Sequence, residues 1–163
     1  MNKIKIGMLD ESKAIPRSAL LLGWLGVLPF AFFSLASLTG TVVDPDSAQD
    51  VLFIYGALIL SFMGGVQWGI AAVHSRTEDE DAAKAASVRF AVSVLPALAA
   101  FALWAVSVPL ALLGLALAFI ALLIYDLKTV REGLAPKWYA PMRIQLSGAV
   151  VALLLVAAAF GGT

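Results

Sequence analysis

Four side chains in this sequence could do chemistry inside an apolar setting: Gln67, Arg89, Asp126 and Arg143. Charges held away from water are costly, so a carboxylate, two guanidiniums and an amide there must pair with one another or serve a solute or proton pathway. The sequence predicts a polar cluster in which Asp126 pairs with Arg89 or Arg143. A competing reading sends each arginine separately into the headgroups, with its apolar stem along the helix. Gln67 also has two readings, as a hydrogen-bonded link between helices worth about 0.6–2 kcal/mol or as a ligand for a translocated solute.

Other polar residues point to less. His74 is the single histidine, so no second imidazole completes a di-histidine metal motif. Glu78, Asp79, Glu80 and Asp81 follow Thr77 in a pattern that suits a helix N-terminus, with Thr77 and Glu80 as a capping box. The chain has no cysteine, which excludes disulfides, thiolate zinc sites, covalent haem attachment and a thiol nucleophile. It carries no nucleophile elbow, Walker loop or dinucleotide fingerprint in a strand-to-helix setting. The expectation is a protein without catalytic residues, metal or cofactor.

These residues are set in a chain of 163 amino acids that is 61% hydrophobic and 13% charged, with a mean hydropathy of +0.94. Soluble domains run at roughly 45–50% apolar, and one small core cannot hide this excess from water. A bilayer can. Five stretches reach the roughly 20 apolar residues needed to cross about 30 Å of hydrocarbon: 18–38, 51–73, 88–107, 109–127 and 141–160. They lack strand alternation, and backbone in lipid must satisfy itself, so the fold class is all-α, a polytopic bundle of five transmembrane helices in one domain over 18–160. The apolar run from Phe90 to Tyr125 would be about 50 Å long as one helix, so it must double back. Pro109, suited to a helix's first turn, puts the break at Ser107-Val108-Pro109.

The basic residues fix an orientation. All 11 fall in the tail 1–17 (Lys3, Lys5, Lys13, Arg17), the second loop and its flank (Arg76, Lys84, Arg89) or the fourth (Lys128, Arg131, Lys137, Arg143). The first loop holds only the acids Asp44, Asp46 and Asp50, and 161–163 is uncharged. Basic flanks stay inside, so the N-terminus is expected in the cytoplasm and the C-terminus in the periplasm. The first apolar stretch is too long for a signal-peptide core and no small-x-small cleavage site follows, so it reads as an uncleaved anchor. Zero net charge argues against nucleic acid as a partner.

The second span carries Ala57, Ser61, Gly65 and Gly69 at four-residue intervals, with Gly56 and Gly64 on the adjoining strip. Such small residues let helix backbones touch. Two uses fit Gly65-x-x-x-Gly69: a contact with another membrane protein or a second copy, or packing inside the same bundle. Pro29 and Pro96 are expected to interrupt intrahelical bonding, and Trp138 and Tyr139 suit an aromatic belt at the interface.

Leu22-Gly23, Gly26 and Pro29-Phe30, followed by Tyr55-Gly56-Ala57, Leu60-Ser61-Phe62, Gly64-Gly65-Val66 and Trp68-Gly69, resemble the family called domain of unknown function 3429. The resemblance covers nearly everything from Pro16 to Phe160. It implies a small polytopic protein of the bacterial inner membrane, related to mitochondrial transmembrane protein 69, and transfers no reaction or catalytic residue. The leading functional expectation is a non-enzymatic accessory, assembly or scaffold component packing through the second helix. The alternative is an oligomeric transporter or channel for a small solute or proton, with a polar site in the cytoplasmic leaflet. A lipid enzyme using Asp126 and His74 has no motif behind it.

Overall fold

The computed structural model describes residues 15–75 and 80–161, with backbone alone at 81 and 82. The expectations attached to Lys3, Lys5, Lys13, Arg76, Thr77, Glu78, Asp79, the Asp81 side chain and the last two residues fall outside the described part. Five helices make up the fold: α1 (Arg17–Thr39), α2 (Pro45–His74), α3 (Glu80–Leu103), α4 (Val108–Arg131) and α5 (Tyr139–Phe160). All five are long and apolar enough to cross a membrane. The class expected from hydropathy is therefore the observed one.

Local chemistry decides where each helix stops. α1 ends at Gly40, whose φ of +60° supplies the left-handed turn that side chains resist. α2 starts at Pro45, six residues before the expected span, because the Asp44 carboxylate accepts from the Ser47 amide at 3.1 Å and Pro45 suits the first turn. That first turn is polar, so a hydropathy window passes over it. At the other hairpin, α3 stops at Leu103, four residues earlier than expected. Trp104, Ala105 and Val106 donate to carbonyls three residues back, a tightened ending that moves the turn upstream of Ser107. Pro29 and Pro96 both lie within continuous helices.

Successive helices alternate in direction. α1, α2, α4 and α5 close a ring, and α3 packs mainly against α2 with a lighter contact to α4. The core runs down the ring: Phe30 of α1, Leu52 and Leu60 of α2, Leu112, Leu115 and Phe119 of α4, and Leu154 of α5 are nearly or fully buried. Phe30 sits edge-on to Tyr55 and to Phe119, with centroids 4.9 and 6.2 Å apart. Large apolar side chains such as Leu22, Leu58, Phe62, Phe101 and Leu117 point outward, as they should where the solvent is hydrocarbon.

Two glycines let α2 approach its neighbours. A Cβ on Gly56 would lie 2.8 Å from Leu115 of α4, and one on Gly64 would lie 2.6 Å from the Ser93 carbonyl and 3.1 Å from Pro96 Cγ of α3. Gly65 and Gly69 behave differently. Among the described residues, nothing beyond the backbone of their own helix and their chain neighbours lies within 4 Å of the Cβ either would carry. Among the described residues no other helix closes on Gly65-x-x-x-Gly69: one residue along a helix is a rotation of about 100°, so when Gly64 faces α3, Gly65 faces out. Ser61 is half-buried and donates to the Ala57 carbonyl of its own helix.

Candidate functional site

The end of the bundle that gathers the C-termini of α2 and α4 and the N-termini of α1, α3 and α5 holds the polar residues singled out above. Asp126, on the last full turns of α4, is completely buried. Its Oδ2 accepts from Arg143 Nε of α5 at 2.6 Å, and its Oδ1 accepts from Gln67 Nε2 of α2 at 2.6 Å. Gln67 then turns its Oε1 toward α3, where Arg89 Nη1 donates to it at 3.1 Å. Arg89 reaches onward: Nη1 also donates to Thr129 Oγ1 at 2.9 Å, and Nη2 donates to Glu132 Oε2 at 2.7 Å. The Arg89 guanidinium lies 5.5 Å from the centre of the Tyr125 ring.

All four candidates, Gln67, Arg89, Asp126 and Arg143, are therefore in one connected network spanning α2 to α5. Neither arginine turns outward alone. Of the two partners expected for Asp126, Arg143 takes the place; Arg89 pairs with Glu132 and meets Asp126 only through Gln67. Two charge pairs result, Asp126 with Arg143 and Glu132 with Arg89, and their charges cancel. Gln67 links the two pairs, bonding an acid with its amide nitrogen and a base with its amide oxygen, while Arg143 Nη2 and the Tyr139 hydroxyl are buried without a hydrogen-bond partner among the described residues.

Thr129 and Glu132 were not foreseen. Both lie beyond the apolar window that ended at 127: the spacing of three from Asp126 could have placed Thr129 on the buried face of α4, whereas Glu132, which caps α4 and is exposed, carries no such signal. Tyr139 needs a correction. Instead of joining an interfacial belt it is buried beside Asp126 and Arg143, because it stands four residues before Arg143 on the same face of α5. Trp138 stays half-buried with its ring edge-on to Tyr139. His74 is exposed and its Nδ1 lies 2.8 Å from the Ile70 carbonyl of its own helix, while Gln145 is exposed and outside the network.

A smaller polar group ties the opposite end. Gln49 Nε2 of α2 donates to the Ala157 carbonyl of α5 at 2.7 Å, and Ser34 Oγ of α1 donates to the Leu153 carbonyl at 3.0 Å. Gly161 fits against Gln49 and Ser37, where a Cβ would come within 2.5 Å of the Gln49 amide nitrogen. Gln49 precedes the apolar span and so escaped sequence reasoning.

The fold and the network define a multi-pass membrane protein, a five-helix bundle locked at one end by a buried ionic network. Residues 15–159 match the family model described as protein of unknown function, DUF3429, and the chain belongs to that family. No curated protein and no solved structure matches it.

Proposed function

We propose that the protein is a non-enzymatic accessory, assembly or scaffold component of the bacterial inner membrane. In this reading the N-terminus is cytoplasmic, the C-terminus periplasmic, and the outer face of α2 is offered to another membrane protein or to a second copy of the chain. The observation that carries it is the open ground over Gly65 and Gly69, set between the outward side chains of Leu58, Phe62 and Val73. Close helix contact in lipid depends on such notches, where backbones approach without side-chain interference. The polar network supports the same reading, since Asp126 and Gln67 spend their hydrogen-bonding groups on neighbouring helices rather than on a solute path.

The chain has no cysteine, so Gly65→Cys and Gly69→Cys introduce unique thiols. Oxidative crosslinking in native membranes should trap a discrete adduct from both, while Leu117→Cys, on the exposed face of α4, should not. Absence of any adduct from both glycine positions would sink the proposal.

A further inference from the structure

Two crevices run end to end along the seam between α2 and α3. The outer one, of about 270 Å³, takes in Asp50 and the turn after α3 at Val106. The inner one, of about 480 Å³, lies between Ala57 and Ser61 of α2 and Ala97 and Phe101 of α3. Phe53, Ile54 and Trp104 line both and join them into one groove. Asp50, Ile54, Ala57 and Ser61 recur at helical spacing, so the groove follows a single face of α2. From Asp50 to Ser61 the helix rises about 16 Å, the depth of one leaflet of a hydrocarbon core about 30 Å thick.

The two ends of the groove differ in chemistry. Its inner part is apolar and opens sideways past Leu58 and Phe101, both largely exposed, toward acyl chains. At the outer end stands Asp50, exposed and, among the described residues, without an ion-pair or hydrogen-bond partner. The two loops at that end, 40–44 and 104–107, and the first turn of α2 bring Asp44 and Asp46 but no lysine or arginine. A cationic head is therefore attracted there and an anionic one repelled. Trp104, 77% exposed, sets an indole where the two parts meet. Its face attracts a cation and its N–H can donate to an ester or phosphate oxygen. A furrow one leaflet deep that ends on an acid and an indole has the outline of a phospholipid with an ammonium head.

We infer that this groove retains one phospholipid of the phosphatidylethanolamine kind, its primary ammonium donating to the Asp50 carboxylate and an acyl chain lying between α2 and α3. A primary ammonium brings three N–H donors, whereas a choline head has none and a glycerol head leaves the phosphate charge uncompensated. The site is separate from the contact proposed at Gly65 and Gly69, which lie past its inner end on α2. The test mixes the full chain in detergent micelles with ethanolamine, choline and glycerol phospholipids of identical acyl chains and counts bound lipid by native mass spectrometry. One retained lipid per chain is expected, the ethanolamine form preferred over the choline form about two- to fivefold, as for an exposed charge pair, and the glycerol form held least. Asp50→Asn should erase the preference while choline-lipid binding and the melting temperature hold, since Asp50 bonds to no other described residue. Ala97→Trp, at an exposed position on the α3 wall, should displace all three lipids. Glycerophosphoethanolamine, the same head without tails, should not compete. Equal affinity for the three heads, a preference that survives Asp50→Asn, undiminished binding in Ala97→Trp, or displacement by the tailless head at matching concentration would overturn the inference. So would a disulfide from Ala97→Cys to a second polypeptide, which would put a protein helix in the groove.

Discussion

Arg143 and Asp126 meet across the α4–α5 junction at 2.6 Å, with both side chains almost wholly sealed from the surroundings. Their attraction offsets the desolvation of each, but only while both are present. This asymmetry makes the pair a lock on the fold and yields a clear mutational signature.

Removing one member strands the other charge in the core. Arg143→Met should destabilise the bundle by about 3–5 kcal/mol, and Asp126→Leu should do similar or greater harm because Gln67 also loses its acceptor. The double replacement should recover much of the loss, since no lone charge then remains. Denaturant titration in detergent, followed by helical circular dichroism, measures the cycle; additive losses would contradict the coupling.

Adjacent glycines on α2 should respond in opposite ways. Gly64→Ala forces a methyl group toward the Ser93 carbonyl and Pro96, which cannot yield as a flexible side chain would. It should cost about 1–3 kcal/mol. Gly65→Ala meets open space and removes backbone freedom from the unfolded chain, so it should be neutral or stabilising by up to about 1 kcal/mol. Thermal unfolding of the two variants side by side checks the contrast.

Arg89 bridges Gln67, Thr129 and Glu132 with one planar group. Lysine keeps the charge but replaces a fork by a single point. Arg89→Lys should therefore loosen α3 from α4 without unfolding the remaining helices. Faster amide exchange confined to α3 and the last turn of α4 is the expected result.

The orientation inferred from charge is testable by reporter fusion. Alkaline phosphatase joined after residue 160 should be active, and the same enzyme inserted between residues 131 and 139 should be inactive, because it folds only outside the cytoplasm. The reverse pattern would invert the topology.

Spans were legible because crossing a bilayer demands a long apolar run, and five runs stand out whatever their packing. Helix ends were less so: the start of α2 depends on a cap at Asp44, and the end of α3 on carbonyl pairing in its last turn, neither of which is an apolar signal. The cluster was legible as composition, since Gln67, Arg89, Asp126 and Arg143 are conspicuous in such surroundings. Partner choice was not. It depends on the rotation of each helix about its axis, which also decides that Gly64 is covered, Gly65 is open and Tyr139 turns inward. Spacing gives the period of a helix face but not its phase.

The network draws on four helices, and the chain is made from one end. Gln67 and Arg89 emerge from the ribosome well before Asp126, and Asp126 before Arg143, so each waits in the membrane for a partner still to be synthesised. The α2–α3 hairpin must then be sheltered, by an insertase or by water at the membrane edge, until α5 arrives. Closure of the network thus falls to α5, and a nascent chain stopped after α4 would hold Asp126 without its Arg143 partner.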